Sequence, residues 1–145
     1  MTSGSDQTIF LTGSANDFNT YVTEDIPVNI YNTSSGVMEF THMLSSDVIT
    51  CEISYFVNSD IADASHEMFI TFTDNTGATF SKTVTQTQVD SADEDVEFLT
   101  VIPFYIGEDL ITHPDTAQTA SAEIFFNPSE NADLKVKNIT LYLNR

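Results

Sequence analysis

Three histidines, one cysteine and a cluster of acids are the residues of this chain with the chemistry to hold a metal or start a reaction. His42, His66 and His113 stand far apart, with no H-x-H, HExxH or Cys/His spacing to bring two imidazoles onto one ion. Each reads as a surface or internally hydrogen-bonded histidine. Cys51 lies in the alternating stretch Val48-Ile49-Thr50-Cys51-Glu52-Ile53-Ser54-Tyr55, where a thiol is buried and inert, and being alone it can form no intrachain disulfide. Asp90, Asp93, Glu94 and Asp95 offer the hard oxygens that calcium prefers, but without the regular spacing of a ligand loop. They read as a hydrated charge run, so the expected cofactor is none, with calcium as the minor alternative. No Gly-rich phosphate loop, nucleophile elbow or Cys-His signature is present, and acids are too plentiful for spacing to nominate a glycosidase pair. The expectation is a protein that is not an enzyme. Tyr21 in Asn19-Thr20-Tyr21 and Tyr105 in Pro103-Phe104-Tyr105 remain as rings able to face a ligand, set against the core role that most strand aromatics take.

Charge limits the partners. The formal net charge is -18, and residues 1–81 hold eleven acids and no Lys or Arg. The four basic residues are Lys82, Lys135, Lys137 and Arg145, three of them on or beside the last strand candidate. Binding to nucleic acid or to an anionic membrane needs a cationic footprint, which this chain lacks. An acidic surface keeps a protein soluble, and it also suits docking on a basic partner. The N-terminus has neither a positive n-region nor an apolar h-region, and no run reaches membrane-spanning length, so a soluble product without a signal peptide is expected. The sequons Asn32-Thr33-Ser34 and Asn138-Ile139-Thr140 are short enough to arise by chance and carry no weight.

The elements that must position these residues are strands. Eleven Phe and five Tyr without a Trp, together with abundant Thr, suit sheets better than helices. At 145 residues the chain fits one domain, with residues 1–7 as a small polar tail and 8–145 as the folded unit. Extended segments are expected at Thr8–Thr12, Val28–Tyr31, Val37–Thr41 and Val48–Val57. The clearest hairpin joins Met68–Thr73 to Ala78–Val84 through Asp74-Asn75-Thr76-Gly77, where Asn and Gly supply the permissive backbone. Gln88–Glu97 reads as an acidic loop, and Phe98–Ile106 as a buried strand with a bulge or end at Pro103. Ala120–Phe126 is the next strand, and Asn127–Asn131 turns into the last. In Leu134–Leu143 two alternating apolar runs are out of phase, so an extra residue near Lys137-Asn138 is needed to put Leu134, Val136, Ile139, Leu141 and Leu143 on one face. Eight or nine short strands with regular turn signals predict an all-β fold, an antiparallel two-sheet sandwich of the jelly-roll kind.

This order of elements, with Ala122-Glu123-Ile124-Phe125-Phe126 and the closing Val136-Lys137-Asn138-Ile139-Thr140-Leu141, resembles the jelly rolls of carbohydrate-binding modules and galactose-binding-like domains. Their last strand commonly reads Ile-Asp-Asn-Val-x-Leu. The resemblance covers about two thirds of the chain and implies a sandwich fold and a glycan ligand. Two departures qualify it. Lys137 stands where that family often has an aspartate near a structural calcium, so no metal site carries over. The absence of Trp removes the strongest platform for stacking on a sugar, although Tyr21 and Tyr105 can substitute.

Taken together, these features point to a structural or interaction protein, such as a capsid decoration protein of a phage virion that docks on a basic shell or on copies of itself as a homo-oligomer. In that reading Lys135, Lys137 and Arg145 are the subunit contact, because only they bring positive charge to a neighbour. The alternative is a carbohydrate-binding module that uses Tyr21 and Tyr105.

Overall fold

The computed structural model describes residues 7–8, 30–32, 34–41, 43–44, 46–107 and 120–144. The elements among them are all strands: β1 (Gln7–Thr8), β2 (Tyr31–Asn32), β3 (Val37–Glu39), β4 (Val48–Ser59), β5 (Ala64–Thr73), β6 (Thr79–Val89), β7 (Val96–Tyr105), β8 (Ser121–Pro128) and β9 (Ala132–Asn144). They form two antiparallel sheets. One runs β2-β3-β8-β5-β6, with β1 also on β8, and the other is the narrower β7-β4-β9. From β3 onward every connection crosses between the sheets except the β5–β6 hairpin, which is the winding of a jelly roll.

Period-two patterning drives the assembly. In β4, Ile49, Cys51, Ile53, Tyr55 and Val57 are buried, while Thr50, Glu52 and Ser54 on the other face are only half-covered. From β5, Met68, Ile70 and Phe72 meet them across the interior, as do Ala122, Ile124 and Phe126 from β8. These side chains belong to one continuous core, so the chain folds as a two-layer unit.

The bulge expected in the last strand is present. Ser54 pairs with Asn138 and Tyr55 with Val136, leaving Lys137 as the extra residue and returning Ile139, Leu141 and Leu143 to the interior. A second bulge lies in the hairpin, where Met68 pairs with Thr85 and Phe69 with Thr83, so that Val84 is unpaired. The hairpin is longer than expected, starting at Ala64 and ending at Val89. Its turn uses one permissive residue. Gly77 has φ +86° and donates its N–H to the Asp74 carbonyl at 3.0 Å, while Asp74 N–H reaches the Ala78 carbonyl at 2.9 Å. Asn75 does not take a left-handed backbone, and its side-chain oxygen instead accepts from the Ala120 N–H at 3.0 Å, tying the turn to the start of β8.

Other expectations need correction. Pro103 neither bulges nor ends its strand, because it pairs with Thr50 inside an unbroken β4–β7 register. Lacking an N–H, it fits only where its nitrogen faces away from β4, and β7 is an edge strand with room for that. Nor is Phe98–Ile106 buried on both faces, since Leu99, Val101 and Tyr105 are exposed. β8 continues to Pro128, opposite His66, so the turn into β9 is shorter than Asn127–Asn131. Gln7, placed in the tail by sequence, pairs with Phe126. The expected segments at 9–12 and 28–29 lie outside the described residues.

Candidate functional site

The unequal width of the two sheets creates the site. Cross-strand partners share a sheet face, so Phe80, opposite Phe72, and Lys82, opposite Ile70, both point toward the interior. Ile70 and Phe72 are buried, but Phe80 and Lys82 are exposed, because β7 is the last strand of the narrow sheet and leaves this part of β6 uncovered. The result is a cleft of about 710 Å³ between the two sheet edges. Its walls are Phe80, Lys82 and Thr83 on one side and Val101, Pro103 and Tyr105 on the other. Phe72 stacks on Phe80 with centroids 5.0 Å apart and meets Phe104 edge-on at 5.3 Å, which holds the aromatic floor in place.

The outer face of β7 continues this surface. Leu99 is 67% exposed, Val101 48% and Tyr105 60%, on alternate residues of one strand. Glu97 lies at one end of this row and Glu52 beside it on β4. Leu99, Val101 and Tyr105 thus form an exposed apolar row bordered by carboxylates. Sequence reading missed Phe80, Lys82, Leu99 and Val101. The available signal was Phe98–Ile106 being apolar in both phases, which a doubly buried strand and an exposed edge strand share.

The other expected residues are dispersed. Lys135 and Lys137 sit on β9, across the narrow sheet from the cleft. Lys137 is engaged within the molecule: its Nζ lies 3.1 Å from Glu97 Oε1, at the far edge of the sheet, and 5.7 Å from the centre of the Phe56 ring. Arg145, Tyr21, His42 and His113 lie outside the described residues. Asp95 accepts from Asn58 Nδ2 at 3.0 Å and Asp93 donates its N–H to the Ser59 carbonyl at 2.9 Å, so these two residues of the acidic loop fasten it to the end of β4. Among the described residues no group of three or more His, Cys, Asp and Glu side chains is arranged to hold a metal ion.

His66 and Cys51 are interior groups. The Tyr55 hydroxyl lies 3.1 Å from His66 Nε2 and 3.3 Å from Thr100 Oγ1, a small polar network between the sheets. Phe98 and Phe126 pack on the imidazole at 4.9 and 5.1 Å, and its Nδ1 has no hydrogen-bond partner among the described residues. Burial disfavours the imidazolium and lowers the pKa of His66 to about 4. The same desolvation pushes the Cys51 thiol up to about 12, with Glu52 adding to it, which removes the thiolate that nucleophilic chemistry needs. Comparison with family models, curated proteins and solved structures finds no match to this chain.

Proposed function

We propose that this protein is a non-enzymatic component of an assembly, most economically a capsid decoration protein of a phage virion, which docks through the outer face of β7 on a basic protein shell. The observation that carries the reading is the exposed row Leu99, Val101 and Tyr105 with Glu97 and Glu52 at its border. An apolar ridge supplies desolvation energy, and flanking carboxylates select a partner that surrounds its own apolar patch with Lys or Arg. A net charge of -18 favours the same kind of partner. Lys135, Lys137 and Arg145 remain the residues that would meet a neighbouring copy. Because Lys137 already pairs with Glu97, its contribution there competes with a contact inside the molecule.

Location tests the proposal. Antibody raised against the purified chain should decorate intact virus particles from the source culture in immuno-electron microscopy, and Leu99→Asp with Val101→Asp should abolish incorporation while the variant stays folded. Absence of label from purified particles overturns the reading.

One observation favours a second reading, a carbohydrate-binding module. Tyr105 and Phe80 are two exposed rings at one cleft, with Lys82 beside them, an arrangement suited to a sugar face with a polar contact at its rim. Glycan arrays decide it: selective binding lost in Tyr105→Ala supports the module, and no binding on the array dismisses it.

A further inference from the structure

None of the described lining residues of the β6–β7 cleft is acidic, although the chain carries 22 acids. Among the described lining residues the charged one is Lys82, the sole Lys or Arg in residues 1–134. The ion pair found among the described residues joins Lys137 to Glu97, so Lys82 has no carboxylate partner among them. A lone cation beside Phe80, Val101 and Tyr105 gives the concavity a sign opposite to that of the molecule. From this charge complementarity we propose that the cleft binds a small amphiphilic carboxylate, its apolar body against the Phe80 and Tyr105 rings and its carboxylate on the Lys82 ammonium. The site shares Val101 and Tyr105 with the β7 outer face, but it is argued from Lys82 and does not rest on the assembly reading.

The volume of about 710 Å³ lies within the range of roughly 300–1,000 Å³ typical of small-ligand sites. An extended peptide suits it less well. Adding a strand to β7 requires a continuous row of backbone donors, and Pro103 interrupts the free edge, while the unpaired Val84 breaks the edge of β6. What the described lining offers is side-chain chemistry: rings, branched aliphatics, the Tyr105 hydroxyl and the Lys82 ammonium, the Thr83 hydroxyl being donated to Glu67 Oε1 at 2.6 Å.

The test uses naphthylacetate and its neutral isostere naphthylacetamide, titrated into the full chain at about 0.15 M salt, where the Debye length of about 8 Å limits repulsion by distant acids. Affinity is read by calorimetry and location by amide NMR shifts, which also report whether each variant is folded. Naphthylacetate should bind about tenfold more tightly than the amide, the scale of one charge-assisted hydrogen bond. Shifts should centre on Lys82, Thr83, Val101 and Tyr105. In Lys82→Gln the two probes should bind alike, and in Phe80→Ala both should weaken. Equal affinity in the unaltered protein, an unaffected Lys82→Gln variant, shifts centred elsewhere, or no binding of either probe would each overturn the proposal.

Discussion

At the scale of single residues, His66 makes the interior sensitive to acid. Its folded-state pKa of about 4 lies below the ordinary 6.5, so between these values the unfolded chain binds a proton that the folded chain refuses. Stability from this group is complete above pH 6.5 and falls as pH drops toward 4, by about 1.4 kcal/mol per pH unit at most. Protonation of carboxylates relieves repulsion over part of the same range, so the histidine is isolated by difference. Urea titrations should show a steeper loss of stability from pH 6.5 to 4 in the unaltered protein than in His66→Gln. Equal slopes would mean that the imidazole is not desolvated as described. Tyr55→Phe should cost about 1–3 kcal/mol at pH 7, because it strips His66 Nε2 and Thr100 Oγ1 of the Tyr55 hydroxyl inside the core. The same titration at pH 7 measures it.

At the scale of elements, the long strands end their sheets with devices that discourage further pairing. β6 carries Lys82 and the unpaired Val84, β7 carries Pro103, and β9 carries Lys135 and the bulged Lys137. Charge, proline and bulges on edge strands are the usual means of preventing edge-to-edge aggregation. The described lysines of a chain poor in bases therefore have a structural role whether or not they meet a partner. Pro103→Thr should restore a donor to the free edge of β7. It should leave thermal stability within about 1 kcal/mol while raising the rate of aggregation in light scattering at elevated temperature; an unchanged rate would show that this edge is already protected. The turn gives a separate expectation. Gly77→Ala should cost about 1 kcal/mol, because φ of +86° is unfavourable for a Cβ even with no atom within 4 Å of it. Denaturant midpoints measure the loss. These elements also show what the sequence could reveal. Alternation in Val48–Val57 and the phase slip at Lys137 follow directly from which residues must be buried, so both were legible. The site was not. A strand apolar in both phases, such as Phe98–Ile106, is compatible with cover on two faces or on one, and only the presence of a layer over the outer face of its sheet decides which. Likewise, Lys82 is a lone base in the sequence, but its inward direction depends on pairing with Ile70.

For the whole molecule, the acids set how the protein responds to salt. At -18 its like charges repel in the folded state more than in an expanded chain. The ion pair described, Lys137 with Glu97, has both side chains more than half exposed and so contributes little that salt could remove. Screening should therefore stabilise the fold, and the melting temperature should rise between about 0.01 and 0.5 M sodium chloride as the Debye length shrinks from about 30 Å to a few ångströms. Docking on a basic partner responds with the opposite sign, because the same field that strains the folded chain steers it toward positive charge. If the assembly reading holds, the association rate with isolated shells should fall over the same salt range in which the fold gains stability. A double charge reversal, Lys135→Glu with Lys137→Glu, should weaken contact between copies without lowering that rate, since it makes the molecule more negative still. Surface plasmon resonance on immobilised shells separates these effects. A rate that is insensitive to salt would mean that the acids serve solubility alone, and the apolar ridge of β7 would then have to act without electrostatic steering.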